Sequence, residues 1–141
     1  MDIRNANVEP TIEHGGSCLS YFMVPKESFR HESEGSYLEF IGEFELKPGA
    51  RLKPHYHDTH EFYYMLSGQA VMQVGTEQSM LSPGDMVHIP RNAVHSIWAA
   101  SDSESFRALA FAVSFQPPGA TYVDAELPQV EHPVGRPPAR M

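Results

Sequence analysis

Residues 49–68 read GARLKPHYHDTHEFYYMLSG. Within them Gly49, His55, His57, Glu61 and Gly68 fall in the frame G-x5-H-x-H-x3-E-x6-G. Side chains alternate faces along a β-strand, so His55 and His57 point the same way. Glu61 opens the next apolar run, in which Glu61, Tyr63 and Met65 share a face. Two neutral imidazoles and a carboxylate converging from neighbouring strands form a divalent-metal site with nitrogen and oxygen ligands. Solvated histidines around a turn are the commoner use of histidine. Five such positions in this frame nevertheless arise by chance on the order of once in 10^5 chains of this length.

The flanking sequence has the period of strands. Tyr37 to Leu46 alternates Leu38, Phe40, Phe44 and Leu46 against Glu39, Glu43 and Glu45, the pattern of a half-buried antiparallel strand. Cys18 to Val24, Gln69 to Val74, Met86 to Ile89, Val94 to Trp98 and Phe106 to Phe115 supply further strands. Ala70, Met72 and Val74 are set against Gln69, Val71 and Gln73. In the last strand Leu109, Phe111, Val113 and Phe115 read as the buried set, headed by Arg107. Pro48-Gly49, Gly75-Thr76-Glu77 and Ser82-Pro83-Gly84-Asp85 are turn signals, and no helical period of useful length occurs. Short strands with regular turns predict an all-β sandwich or barrel.

A second cluster follows one hairpin later. Gly84, Pro90, Asn92 and His95 fit G-x5-P-x-G-x2-H-x3-N, with Asn92 in the glycine position and Ala99 in the final asparagine position. Asn is the substitution expected where a turn needs φ > 0. The two stretches resemble the paired signature motifs of the cupin superfamily, the first without departure. That resemblance implies a double-stranded β-helix, the jelly-roll barrel. It also implies that His95 completes a metal set with His55, His57 and Glu61. Such a set holds one divalent transition metal per chain, Fe, Mn, Ni, Zn, Co or Cu.

At 141 residues the chain is expected to form one domain with a real core. Residues 1–17 read as a polar arm able to pair with a sheet edge, 18–116 as the barrel, and 117–141 as a Pro-rich tail. The last ten residues, with His132, are expected to be disordered. The charged loop 25–35 carries His31 as a solvated residue. A net charge of −8 argues against nucleic acid or an anionic membrane as partner. Cys18 is the only cysteine, so no internal disulfide forms. With no apolar run of membrane-spanning length and no signal pattern, a cytoplasmic protein is expected.

Four protein ligands leave open positions for an oxygen-rich small molecule to chelate. The four-ligand set resembles that of the quercetinase and acireductone dioxygenase cupins, which implies a metal-dependent oxygenase acting on an oxygenated or carboxylated small metabolite. The spacing Glu61-x-Tyr63 resembles the small cupin lyases that cleave dimethylsulfoniopropionate. In that second reading, a redox-neutral lyase, dehydratase or isomerase, Tyr63 is the base and Glu61 a catalytic ligand. A third reading is a non-catalytic binder of a small acid or sugar, and a purely structural metal is a fourth.

Arg51 and Lys53 share the parity of His55 and are candidates, with Arg107, to hold a substrate carboxylate. His60 is read as a surface or outer group, and His88 as a half-buried, hydrogen-bonded one. Phe62, Tyr64, Leu66 and Trp98 face outward and need a cover, an arm or a second subunit. A homodimer packed through that face is expected.

Overall fold

The computed structural model describes residues 4, 6–22, 37–117 and 119–135. The loop expected over 25–35, with His31, and the end of the tail, 136–141, lie outside the described residues. The strands are β1 (Thr11–Glu13), β2 (Cys18–Phe22), β3 (Leu38–Leu46), β4 (His55–Tyr56), β5 (Thr59–Ser67) and β6 (Ala70–Val74). They continue with β7 (Glu77–Leu81), β8 (Met86–Ile89), β9 (His95–Ala99), β10 (Phe106–Ser114) and β11 (Val123–Asp124). A 3-10 turn spans His14–Gly16.

All pairings are antiparallel, in one sheet ordered β1-β2-β3-β10-β5-β8 and another ordered β11-β4-β9-β6-β7. One apolar cluster draws on both, with Phe40, Phe44, Met65 and Phe106 from the first and Met72, Leu81 and Ile97 from the second. This is the jelly-roll barrel that the resemblance to the cupins implies, within the all-β class that the strand spacing predicts. Among the described residues no helix is long and apolar enough to cross a membrane.

In β3 the alternation holds: Phe40, Phe44 and Leu46 are buried while Glu39, Glu43 and Glu45 are half-buried. In β10 the expected parity is reversed. Phe106, Ala108, Ala110 and Ala112 face the core, whereas Leu109, Phe111 and Val113 lie half-buried on the outer face and Phe115 is 46% exposed. The reason is steric. Phe106 packs edge-on against Phe44, 5.8 Å between centroids, and alanines beside the aromatic side chains of β3 leave space inside the barrel.

The alternation in β6 and β9 also yields to tertiary packing. Val71 and Gln73 of β6, and Ser96 and Trp98 of β9, point away from the core yet are at most 2% exposed. The chain beyond β11 crosses this face. Gln73 donates to the carbonyl of Pro128 at 2.9 Å, Val134 N–H donates to Gln78 at 3.0 Å, and Gly135 packs on Val71. Trp98, the register partner of Val71, is thus buried on a face that this chain covers itself.

The four outward apolar groups therefore do not share one face, and the cover of Trp98 is a segment of this chain. Trp98 belongs to the five-stranded sheet. Phe62, Tyr64 and Leu66 belong to the six-stranded one, where Tyr64 and Leu66 remain 41% exposed. Removing residues 125–141 is expected to red-shift the emission of Trp98, the single tryptophan, and to cost about 2 kcal/mol of stability. Unchanged fluorescence would show that the segment is not its cover.

Candidate metal centre

His55 opens β4, and its register partner across the strand pair is His95, the first residue of β9. One antiparallel register therefore sets two imidazoles side by side, 4.3 Å between centroids. His57 lies two residues on, with its ring 5.4 Å from that of His55 and 5.0 Å from that of His95. Each of the three offers one ring nitrogen, and these atoms lie within 4.8 Å of one another. Glu61 enters from β5 in the other sheet, its Oε1 3.6 Å from His57 Nε2 and 3.7 Å from His95 Nε2.

Hydrogen bonding orients the rings. Nδ1 of His55 lies 2.5 Å from the carbonyl of Lys53, and Nδ1 of His95 lies 2.9 Å from that of Ala93. A carbonyl only accepts, so each Nδ1 carries the proton and each Nε2 keeps its lone pair. His95 is fully buried and its Nε2 has no hydrogen-bond partner. An orphaned buried acceptor costs roughly 1–3 kcal/mol, a cost that a bound cation removes.

Burial, with His95 and His14 alongside, pushes the His55 ring down to about 2, so it stays neutral as a ligand must. Burial works to raise the Glu61 carboxyl, but the imidazoles of His57 and His95 outweigh it and hold the group well below the ordinary carboxylate range. Three imidazoles, two of them with the far nitrogen held by a carbonyl, beside an ionised carboxylate form a donor set that fits a first-row divalent metal.

The turn of the second cluster braces the first. Asn92 sits at φ 59, the left-handed backbone anticipated for it, and its N–H donates to the carbonyl of His57 at 2.8 Å. Asp58 Oδ1 accepts from Arg91 Nε at 2.6 Å. Asn92→Val is expected to cost about 1–2 kcal/mol because a β-branched residue is strained there, and Asn92→Gly to leave the melting temperature unchanged. Equal melting temperatures for the two variants would remove this role.

The centre opens onto a cavity of about 70 Å³ walled by Phe22, Phe40, Phe44, Leu52 and Tyr63, with Cys18 and Ser20 on one side. Tyr63 is buried, packs edge-on against Phe44 at 4.8 Å and lies beside the Glu61 carboxylate. Burial and the Glu61 carboxylate push its phenol well above the ordinary value, so the hydroxyl donates.

The three cations singled out in the sequence do not line this inner cavity. Arg51 and Lys53 line a second, outer cavity, and Lys53 is ion-paired with Asp124 at 2.6 Å. Arg107 bonds Glu43 at 2.7 Å and covers the Tyr21 ring on the outside of the six-stranded sheet. His60 and His88 are bonded to each other at 2.8 Å, with Phe62 stacked on His88, away from the centre.

Two groups beside the centre had no part in the sequence reading. His14 stacks on Tyr122, 4.6 Å apart at 11°, and each ring lies 4.8 Å from that of His55. His14-Gly15-Gly16 carries a tight-turn signal that could have drawn attention to His14. Tyr122 has none, since β11 reaches the site only by pairing with β4.

A cupin-domain family profile matches residues 42–111, a span that takes in both signature motifs. An uncharacterised protein of Streptomyces coelicolor is 32% identical over 101 residues, covering 65% of this chain and 90% of that protein. The chain is a cupin. This cupin is also 45% identical over 49 residues to quercetin 2,3-dioxygenase of Bacillus subtilis, a match of 34% of this chain but 14% of that enzyme's length. Among solved structures, the polyketide cyclase RemF from Streptomyces resistomycificus superposes with a TM-score of 0.69 at 20% identity, over 91% of this chain and 87% of that one. A predicted oxalate decarboxylase from Thermotoga maritima gives 0.68 at 20% identity, over 82% and 100%. At such identities the likeness is one of fold.

Proposed function

We propose that this cupin is a metal-dependent enzyme of the dioxygenase type, acting on a small oxygenated metabolite at a centre formed by His55, His57, Glu61 and His95. One observation carries the reading: the unpartnered Nε2 of the fully buried His95 converges with His55, His57 and Glu61, and the last three line a cavity. A divalent metal bound there supplies Lewis-acid polarisation and, if redox-active, electron transfer between substrate and dioxygen. The local identity to quercetin 2,3-dioxygenase supports the oxygenase assignment.

The protein's own side chains supply the rest. Lys53 and Ala93 carbonyls fix the tautomers of His55 and His95. Tyr63 holds Glu61 in place from inside the barrel. Phe22, Phe40, Phe44 and Leu52 exclude water and grip an apolar body. No Lys or Arg lines this inner cavity among the described residues, which favours a ligand bound through its own chelating oxygens and apolar contacts over one anchored by an ion pair. The exposed outer face around Tyr64 and Leu66 serves a homodimer in this reading, and a monomeric mass by light scattering at micromolar concentration counts against it.

Metal analysis of the purified protein, followed by substrate screening with and without dioxygen, tests the assignment. Expected are about one iron, nickel or similar ion per chain and turnover that consumes dioxygen. Turnover that persists anaerobically and is lost in Tyr63→Phe replaces the oxygenase with a redox-neutral lyase or isomerase. Saturable binding with no product by mass spectrometry makes the protein a binder.

A further inference from the structure

His14 and Tyr122 stand between two cavities. The inner one, at the metal centre, is about 70 Å³, and the outer one, about 260 Å³, is lined by Arg51, Lys53 and Pro54 with Gly15 and Ser17. Among the described residues, His14 and Tyr122 are the two that line both. Ordinary ligand pockets measure roughly 300–1,000 Å³, so the inner cavity alone takes only a small head group. A larger ligand must straddle the two rings.

The pair is built with care at both ends of the chain. His14 is held at φ 52, followed by Gly15 at 70 and Gly16 at 95, so a residue bearing a Cβ occupies left-handed backbone. That conformation costs a non-glycine residue roughly 1–2 kcal/mol, and the strain aims the His14 ring at the centre. Ser17 Oγ donates to the His14 carbonyl at 2.9 Å and steadies the turn. Tyr122 is fixed by the strand that follows it, with Val123 paired to Tyr56, Asp124 paired to His55, and Asp124 bound to Lys53. The two rings then stack nearly parallel at 4.6 Å, in contact with His55.

We infer that the stacked His14–Tyr122 pair is the specificity-determining constriction of this centre. It admits an oxygen-bearing head group to the inner cavity and keeps the remainder of the ligand in the outer basin beside Arg51 and Lys53. The inference deepens the proposed function and rests on it for the identity of the reacting site.

Cys18 gives a test that needs neither metal nor substrate. It is the only cysteine, is 3% exposed and lines the inner cavity. In the metal-free protein its rate of modification by a bulky aromatic disulfide, 5,5′-dithiobis(2-nitrobenzoate), is compared with that by the small reagent methyl methanethiosulfonate. Both react with the thiolate, so their ratio cancels any change in thiol acidity. His14→Ala and Tyr122→Ala are each expected to raise the bulky-to-small rate ratio by about tenfold. Tyr122→Phe, which retains the stack, should match the parent protein. An unchanged ratio in both alanine variants overturns the inference, as does an equal rise in Tyr122→Phe. A parent protein that binds no metal would defeat the proposed function and leave this ratio as it stands.

Discussion

His57→Ala is expected to reduce bound metal from about one ion per chain to none under conditions that saturate the parent protein. Loss of groups that merely orient ligands already weakens metal binding by about 10–100-fold, and loss of a ligand should exceed that. His57 is the cleanest of the three histidines to remove. Its side chain is 10% exposed, and its Nδ1 makes no hydrogen bond that the substitution would break. Replacing His55 or His95 would instead orphan the carbonyls of Lys53 or Ala93. The barrel should therefore stay folded, with the circular dichroism spectrum of the parent. Metal analysis of the dialysed variant reads the outcome. Full metal content in His57→Ala would refute the ligand assignment and with it the proposed chemistry.

Gly68→Ala is expected to destabilise the fold by about 3 kcal/mol or more, a fall in melting temperature on the order of 10 °C. Gly68 lies at φ +73, and an added Cβ would fall 2.3 Å from the carbonyl oxygen of Ser105 and 2.8 Å from Cα of Phe106. Both obstacles are backbone, at the start of the strand that runs between β3 and β5, so neither can swing aside. Gly49, the glycine at the other end of the same motif, is the control. It lies at φ +77 with nothing within 4 Å of the added carbon, so Gly49→Ala should cost only the backbone strain, about 1–2 kcal/mol. Thermal unfolding of the two variants side by side checks the contrast. Similar melting temperatures would show that crowding at Gly68 is relieved by movement of the chain.

Part of the candidate metal centre was legible because its evidence is local. His55 and His57 share a parity and Glu61 opens the next apolar run, whereas His95 entered only through the resemblance to the cupins and meets His55 through one register pair. The left-handed turn at Asn92 was legible for the same reason, as a conformation favouring a short list of residues. Parity could not show that Lys53 pairs with Asp124 or that Arg107 pairs with Glu43 on the outer side of its sheet, because it says which residues share a side while such partners come from distant parts of the chain.

By itself, the sequence determined most of the strands, though not β7 or β11, with their turns and the convergence of His55, His57 and Glu61, all consequences of a two-residue period and of backbone preferences. Tertiary structure alone decided which side of β10 faces inward. There the alanines, rather than the larger Leu109 and Phe111, sit among the aromatic side chains of the core. It also decided that residues 125–135 cover the five-stranded sheet, and that His14 and Tyr122 meet beside His55. Alternation pairs residues onto faces; which face is buried, and by what, depends on the volumes and hydrogen-bonding groups that distant segments bring to it.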